Sequence, residues 1–490
     1  MSDHSHSERQ ARHAWFEVPP SLPPKRSATE RVADFLEVYG SYDEATAMEQ
    51  ARRCIQCPEA LCVKGCPLAN RIPEWMLLTA EGQFLEAAAM SRSTSNMPEI
   101  CSRICPQDTL CEGACILNGR AEPVSIGAIE QFINEYAFAH GGVEACPAPP
   151  NGLRVAVLGS GPAGLSCADE LARRGYAVTI FESQVVPGGL LVNGIPAFKL
   201  EHSVVQRRVE LLKKRGVAFR LGMTIGQDLT LAELQTGFDA VFLGFGAQKA
   251  KPLDVPGAEL GQVMQALPFL IQKNGELPPG LLDVPELEVR GRRVVVLGGG
   301  DTAMDCLRTA IRCGASAASC LYRRDRANMP GLRKEFENAL EEGAEFVFLT
   351  APVELLGDAE GKVRAVRCVR MELGAPDASG RRSPKRVPGS EYEVPADVVL
   401  VAYGFDPVPF PAESDLGRIA THSWGGVITD ANQMTNVSGV FAGGDLVRGP
   451  SLVVHAVRDA RKAAQAIHRY LWEKRADKMG LGQHEDGLTL

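Results

Sequence analysis

Eight cysteines near the start of the chain have the spacing of ligands to a metal cofactor. They form two quartets: Cys54, Cys57, Cys62 and Cys66, followed by Cys101, Cys105, Cys111 and Cys115. Iron–sulfur clusters need several thiolates on one short stretch, and a proline after a cysteine, as at the end of the first quartet, is common in ferredoxin-type runs. Zinc prefers paired CxxC knuckles, and only the first quartet contains such a pair. The array therefore predicts two [4Fe–4S] clusters, with zinc as the alternative.

One cluster can be bound by cysteines from both quartets. In two-cluster ferredoxins the last cysteine of a run serves the other cluster. The same crossing here gives two sets: Cys54, Cys57 and Cys62 with Cys115, and Cys66 with Cys105 and Cys111. The second set reaches four thiolates if Cys101 completes it.

A glycine-rich turn follows the apolar strand VAVL and precedes an amphipathic helix. Such a turn lets the backbone approach a pyrophosphate, which then lies at the helix N-terminus. The predicted cofactor-binding residues of this turn are Gly159, Gly161, Pro162, Ala163 and Gly164. The next strand ends in Glu182, whose carboxylate can accept hydrogen bonds from a ribose diol and would repel a 2′-phosphate. This context predicts a dinucleotide site.

Two further turns favour FAD at this first site. Gly444 and Asp445 follow the strand GVFA, in the kind of turn that brings an acid to a ribityl chain. The helix after them would aim its N-terminus at the flavin ring, where its dipole can stabilise an anionic reduced flavin. Gly189 and Leu190 follow Glu182 and would pass beside the flavin, although the same residues could equally form a plain loop.

A second glycine turn follows the strand VVVL and opens another helix. Its predicted cofactor-binding residues are Gly298, Gly300, Asp301, Thr302 and Ala303. The next strand is followed by Arg323 and Arg324, with no carboxylate where the first unit has one. An arginine pair suits a 2′-phosphate through bidentate, charge-assisted bonds, so the sequence predicts NADPH here. A solvated run of charges is the alternative.

These motifs require a particular set of elements around them. Residues 1–150 are predicted to be mostly helical, with the cysteines in turns, and a linker follows near residue 150. The two strand–turn–helix–strand units that come next indicate two Rossmann-like domains, and therefore an α/β fold. The chain has 490 residues, 45% of them apolar, which is enough for more than one large core.

Composition excludes several classes of function. A net charge of −8 argues against a nucleic-acid-binding surface. No stretch approaches the roughly 18 uninterrupted apolar residues of a membrane helix. The polar start of the sequence lacks the apolar region of a signal peptide, so a cytoplasmic protein is predicted, in which clustered cysteines serve cofactors and not disulfides.

Taken together, the motifs resemble the small (beta) subunit of bacterial NADPH-dependent glutamate synthase. The resemblance runs essentially from end to end, through segments that include CPQDTLCEGAC, GSGPAGLSCADELARRG, GGLLVNGIPAFKLE, VVVLGGGDTAMDC, YRRDRANMPG and FAGGDLVRG. The cysteine array also resembles that of dihydropyrimidine dehydrogenase, which has the same cysteine spacings. Together, the six segments shared with the glutamate synthase subunit are far more specific than any single glycine motif.

The resemblance implies a glutathione-reductase-like architecture. The expected parts are a helical cluster domain at 1–150, a discontinuous FAD domain at 151–285 and 406–475, and an inserted NADPH domain at 286–405. It also supports the crossed pairing of cysteines. In the dehydrogenase a side chain other than cysteine completes the second cluster, and Glu130 falls on the matching position. Glu130 and Cys101 are therefore both candidates for that ligand.

The implied reaction is hydride transfer from NADPH to FAD, followed by release of single electrons to the clusters, and it needs no catalytic acid or base. A large (alpha) subunit carrying FMN would use these electrons to make glutamate from glutamine and 2-oxoglutarate. One alternative is the same module with ferredoxin, sulfide or another acceptor. Another is a non-enzymatic wiring subunit, against which the intact second glycine turn and its arginine pair argue.

Overall fold

The computed structural model describes residues 14–274, 284–376 and 382–478. Helices dominate the described part of the first 150 residues, and the predicted polar start, residues 1–13, lies outside it. The helices of this N-terminal domain are α1 (Ala28–Arg31), α2 (Glu44–Arg52), α3 (Leu61–Gly65), α4 (Ile72–Ala80), α5 (Phe84–Thr94), α6 (Pro98–Ile104) and α7 (Ile126–Ala139). Ser27 forms a capping box at the start of α1, and Asp43 caps α2, so both helices begin where the sequence supplies a side-chain acceptor.

The N-terminal domain has its own apolar core, on which the cysteine loops pack. Trp75, Ile129 and Ile133 are fully buried in that core, with Phe84 and Phe132 edge to face at 5.0 Å between ring centroids. Helix α6 differs, because its residue Ile100 belongs to the core of the unit that follows. Cys101 and Cys105, on and just after α6, therefore lie where the N-terminal domain meets the next part of the chain.

A parallel sheet in the order β16-β4-β1-β2-β3 forms the first unit. Its strands are β1 (Arg154–Leu158), β2 (Ala177–Glu182), β3 (Ala218–Leu221), β4 (Ala240–Leu243) and β16 (Val440–Ala442). Its helices are α8 (Pro162–Ala172), α9 (Leu190–Asn193), α10 (His202–Lys214), α11 (Leu231–Gly237), α15 (Asp445–Arg448) and α16 (Val453–Lys478). Strands β1 and β4 are buried along almost their whole length, as expected for a parallel sheet covered on both faces.

A second parallel sheet, in the order β6-β14-β7-β8-β9, forms the second unit. Its strands are β6 (Val263–Gln265), β7 (Arg293–Leu297), β8 (Ala317–Tyr322), β9 (Glu345–Phe348) and β14 (Val398–Val401), and its helices are α12 (Ala266–Asn274), α13 (Asp301–Arg312) and α14 (Arg333–Glu341). An antiparallel sheet of β10 (Thr350–Gly357), β11 (Val363–Pro376), β12 (Arg382–Arg386) and β13 (Tyr392–Pro395) packs beside it.

The second unit begins earlier than the sequence suggested. The predicted start of the NADPH domain is residue 286, just before its glycine turn. Strand β6 nevertheless pairs in parallel with β14, and α12 packs into the core of the second unit through Phe269 and Leu270. Strand β6 has only three residues and no motif, so no local pattern assigns it to this sheet.

The chain enters and leaves the second unit through one narrow connection. Strands β5 (Lys249–Ala250) and β15 (Phe405–Asp406) pair antiparallel and join the two units. The second unit is therefore an insertion in the first.

Among the helices of the described ranges, none has the length and apolar character needed to cross a membrane.

Candidate cofactor sites

The first glycine turn connects β1 to α8 and brings the backbone close to where a ligand would lie. Gly159 has φ +93°, and its N–H donates to the carbonyl of Phe181 at 2.8 Å. A Cβ on Gly164 would overlap the carbonyl oxygen of Gly159, so the close packing of helix on strand requires glycine there. Gly161 caps α8, with Pro162 at the first helical position, and a Cβ on Gly161 would meet nothing within 4 Å. The open side of the turn is therefore at Gly161.

Glu182 ends β2 and closes this turn from the side. Its carboxylate accepts from the N–H and the hydroxyl of Ser160 at 2.8 and 2.6 Å, from the Ser183 hydroxyl at 3.1 Å and from the N–H of Gln184 at 2.9 Å. Two of these donors are hydroxyls, which can rotate to other partners. The carboxylate can thus exchange them for ribose hydroxyls while the two backbone donors hold it in place.

The other two turns predicted for the flavin converge on the first one. A Cβ on Gly189, which has φ +57°, would lie 2.8 Å from the Cα of Gly161. A Cβ on Gly444, with φ +73°, would lie 3.0 Å from the Cβ of Ala163. Leu190 begins α9 directly after Gly189. Three glycine segments from distant parts of the sequence therefore meet at the N-terminus of α8.

Asp445 stands at the start of α15 and is largely buried. Its Oδ1 accepts the N–H of Ser451 at 3.1 Å. Burial raises the pKa of Asp445 to about 7, because a charged carboxylate is poorly solvated there. A ligand hydroxyl that donated to Asp445 would favour its charged form.

The second glycine turn repeats the geometry of the first between β7 and α13. Gly298 has φ +144°, and a Cβ on it would overlap the carbonyl oxygen of Ala402. Gly300 caps α13, and a Cβ on it would meet nothing within 4 Å. In the first turn of α13, Ala303 is fully buried and Thr302 is half-buried. Gly300 is thus the open position of the second turn.

Asp301 serves the structure of this turn. Its Oδ1 accepts the N–H of Leu332 at 2.9 Å, which ties the start of α13 to the loop before α14. Burial raises the pKa of Asp301, although Lys199 opposes this effect. The carboxylate therefore holds a neighbouring loop in addition to opening the helix.

The two arginines after β8 have different surroundings. Arg323 is exposed, whereas Arg324 is half-buried and donates its Nε to the carbonyl of Arg382 at 3.1 Å. Within the described ranges, neither guanidinium forms a salt bridge with a carboxylate. The ring of Tyr322, just before them, covers Gly299, since a Cβ there would lie 2.5 Å from the ring. Arg323 is therefore the guanidinium that is free to bind a phosphate beside the turn.

The eight cysteines of the array line two separate cavities in the N-terminal domain. One cavity is lined by four of them: Cys54, Cys57, Cys62 and Cys115. The other is lined by the remaining four and by one carboxylate: Cys66, Cys101, Cys105, Cys111 and Glu130. The structure thus brings together the sets that the crossed pairing predicts, each from both halves of the array.

Both candidates for the last ligand face the second cavity. The thiols of Cys101 and Cys105 contact each other, and this contact, together with burial, raises the pKa of Cys105. Glu130 is half-buried, and its Oε1 accepts from Asn70 at 2.8 Å and from Ser91 at 2.9 Å. Burial raises the pKa of Glu130 to about 7 despite these two bonds. The structure leaves both residues as candidates.

The buried thiols of these cavities are suited to binding iron, because burial disfavours a thiolate that has no cation beside it. Burial raises the pKa of Cys54 to about 12, and those of Cys62 and Cys66 to about 11. Buried thiolates need a cation that compensates their charge, and iron supplies it. Across the described residues, no group of three or more His, Cys, Asp or Glu side chains has the geometry to hold a single metal ion.

Sequence reasoning missed two residues that shape these sites. Ser160 lies inside the first glycine turn, and its hydroxyl both donates to Glu182 and accepts the N–H of Gly188 at 3.0 Å. Val454, near the start of α16, lines the cavity that contains Cys66. Ser160 could have been noticed within its motif, but an isolated valine gives no signal.

Two known families match successive parts of the chain. The family described as dihydropyrimidine dehydrogenase domain II, 4Fe-4S cluster, matches residues 31–142. The family described as pyridine nucleotide-disulphide oxidoreductase matches residues 153–460. The first match covers both cysteine cavities, and the second covers both glycine turns.

Whole-chain relatives give a narrower assignment. The chain is 47% identical over 455 residues to the glutamate synthase [NADPH] small chain of Azospirillum brasilense, covering 92% of this chain and 94% of that relative. The chain belongs to the glutamate synthase small-chain family. The small chain of Escherichia coli (strain K12) is 44% identical, with 92% and 96% covered. The putative oxidoreductase UacF of the same strain is also 44% identical, but this chain spans only 70% of it.

Solved structures agree with this small-chain assignment at the level of the fold. FprA from Mycobacterium tuberculosis, in complex with NADPH, superposes with a TM-score of 0.56 at 22% identity, covering 69% of this chain and 88% of that chain. The predicted family resemblance, the oxidoreductase class and the α/β fold with a helical iron–sulfur domain are therefore confirmed.

Proposed function

We propose that this chain is the NADPH-oxidising small subunit of a glutamate synthase, which delivers electrons to a large subunit that carries FMN and makes glutamate from glutamine and 2-oxoglutarate. The observation that carries the proposal is the similarity to glutamate synthase small chains over nearly the full length of both partners. Relatives that share only the flavoprotein part would not align over the cysteine array as well.

FAD is proposed for the first unit. The N–H groups at the start of α8 would bind its pyrophosphate, with Gly161 leaving room for close approach. Glu182 would accept from the ribose, and Asp445 from a hydroxyl of the ribityl chain. The three glycine turns converge at the helix N-terminus, where a Cβ on Gly161 would meet none of the described atoms within 4 Å.

NADPH is proposed for the second unit. Gly300 and the N-terminus of α13 would bind the pyrophosphate in the same way. Arg323, with no described carboxylate as partner, would bind the 2′-phosphate, and Arg324 would support it from its contact with the backbone of Arg382. The chain's task in hydride transfer is to position the two nucleotides, since the step needs no acid or base.

Two [4Fe–4S] clusters are proposed for the two cavities. The first cavity would use its four thiolates, and the second would use Cys66, Cys105, Cys111 and either Cys101 or Glu130. When bound, such clusters supply one-electron redox chemistry. The chain itself supplies thiolates on loops that pack against the apolar core of the N-terminal domain.

A cytoplasmic location is proposed for the complex with the large subunit.

The equal identity of UacF favours one competing function, in which the same module reduces a different acceptor, such as ferredoxin or sulfide. End-to-end coverage of the small chains, against 70% for UacF, favours the glutamate synthase role.

The proposal is tested by purifying the full-length chain under anaerobic conditions, alone and with the candidate large subunit. The chain alone should contain flavin, iron and acid-labile sulfide, and it should reduce a dye with NADPH. The complex should oxidise NADPH only when glutamine and 2-oxoglutarate are both present. Electron delivery to ferredoxin, with no glutamate formed by the complex, would contradict the glutamate synthase role and support the competing one.

A further inference from the structure

Non-covalent contacts must set the angle between the two nucleotide-binding units. The chain connects them only through the pair of two-residue strands β5 and β15. A connection this narrow permits one unit to turn against the other, and hinges of this size absorb such motions in many proteins. Hydride transfer between cofactors in different units needs one defined relative orientation.

Helix α9 of the first unit contacts α12 of the second unit, and the short loop after α9 reaches further into the second unit. This loop follows α9, and its Phe198 and Lys199 are both buried or nearly so. The Lys199 ammonium lies 2.9 Å from the Asp305 carboxylate on α13 and 3.8 Å from Glu335 on α14. The Phe198 ring contacts the guanidinium groups of two arginines of α13, at 4.3 and 4.0 Å from the ring centroid.

The arginines that contact Phe198 are themselves fixed by buried carboxylates. Arg308 donates to both carboxylate oxygens of Glu342 at 2.9 Å and to Glu335 at 2.5 Å, and Arg312 pairs with Glu342 at 2.6 Å. Arg308, Arg312 and Glu342 have side chains with no exposed area. The Phe198 ring therefore contacts arginines that are already paired with Glu335 and Glu342, whereas Asp305 takes its ion pair from Lys199 of the loop.

The N-terminal domain closes this contact from the other side. The segment 25–39 lies between the units: Arg31 donates to Asn338 at 3.1 Å and to Glu341 at 2.6 Å, and the Val38 N–H donates to the carbonyl of Phe198 at 3.2 Å. Arg31 is 1% exposed. All three parts of the chain thus meet around Phe198 and Lys199.

We propose that Phe198 and Lys199 are positioning residues for hydride transfer, which hold the second unit in the orientation that brings the nicotinamide to the flavin. This inference rests on the proposed function. The loop begins only a few residues after Gly189, which contacts the first glycine turn. Its Phe198 and Lys199 contact α13, the helix that starts at the second glycine turn. One short stretch of chain therefore links the two proposed nucleotide sites directly.

The test is rapid anaerobic reduction of the bound flavin by NADPH in full-length holoprotein. Lys199→Met removes the charge that bridges the units and keeps the length of the side chain. Since the proposed NADPH site lies wholly within the second unit, the apparent Kd for NADPH should change by less than roughly twofold, while the limiting rate of flavin reduction should fall about tenfold or more. Lys199→Arg, which keeps the charge, should recover most of that rate.

Arg293→Met is the matched control, because it breaks an ion pair with Asp397 that lies within the second unit and away from the contact. It should leave the limiting rate unchanged. Phe198→Leu provides a second test if Lys199→Met does not fold, and it should slow flavin reduction in the same way.

The possible outcomes separate the two proposals. Wild-type flavin that NADPH does not reduce would contradict the proposed function, and the positioning role with it. Reduction in the wild type, with an unchanged limiting rate in Lys199→Met or Phe198→Leu, would overturn the positioning role alone. A loss of NADPH affinity at an unchanged limiting rate would also overturn it.

Discussion

The choice of nicotinamide nucleotide should depend on Arg323. Its guanidinium is exposed beside the second glycine turn and has no carboxylate partner among the described residues, whereas Arg324 is engaged with the carbonyl of Arg382 at 3.1 Å. We expect Arg323→Ala to lower kcat/KM for NADPH and to leave kcat/KM for NADH nearly unchanged. The phosphate that distinguishes the two nucleotides is the only group expected to contact this side chain.

The magnitude follows from the exposure of the side chain. A hydrogen bond to a charged group contributes about 1.5–3 kcal/mol. Because Arg323 is exposed, solvent screens the interaction, and the lower end applies. A loss of about 1.5 kcal/mol corresponds to roughly a tenfold fall in kcat/KM for NADPH. Arg324→Ala should cost less, because its Nε contacts the protein backbone.

The assay is steady-state dye reduction by the full-length protein with each nucleotide in turn, at low and at high salt. The preference for NADPH should narrow as salt is added, because the charges involved are exposed. Equal efficiencies with NADPH and NADH in the wild-type protein would refute the reasoning. So would an Arg323→Ala variant that loses the same factor with both nucleotides.

Three further expectations concern flavin binding, iron binding and pH. Gly161→Ala should bind little flavin, yet in flavin-free protein it should keep the wild-type Tm, because its Cβ would meet nothing within 4 Å. Gly164→Ala should lower the Tm of flavin-free protein through overlap with the backbone. Cys115→Ser should lose about half of the iron and labile sulfide, while Cys146→Ser, outside the array, should keep all of it. In flavin-free protein, burial raises the pKa of Asp445 to about 7 from an ordinary 3.8, so the folded state binds this proton more tightly than the unfolded state does. The stability of the folded state should therefore fall as the pH rises from about 4 to 7. A profile of Tm against pH for Asp445→Asn should lack that fall.

Local motifs account for what could be predicted from the sequence. Each glycine turn requires a strand before it and a helix after it, so Gly159 and Gly298 located two units correctly. The crossed sets of cysteines followed from a spacing rule, and the structure brings those same sets together. In both cases the residues that carry the information are close together in the sequence.

Features that depend on distant contacts could not be predicted. Strand β6 is three residues long, and only its pairing with β14, more than a hundred residues later, assigns it to the second unit. Lys199 was visible within a recognised motif, but its partner Asp305 is 106 residues away. Neither hydrophobic periodicity nor spacing identifies which charged residues meet across such a distance.

The segment at residues 25–39 has a consequence for how the protein is made. Arg31 contacts a residue 310 positions further along the chain, so its partner does not exist when this segment leaves the ribosome. At synthesis rates of about 5–20 residues per second, the delay is roughly 15 to 60 s. During that time Arg31 cannot form its ion pair with Glu341. Docking of residues 25–39 on the second unit is therefore a late event of folding, and slowing or truncating translation should leave a nascent chain in which this segment remains open to proteases.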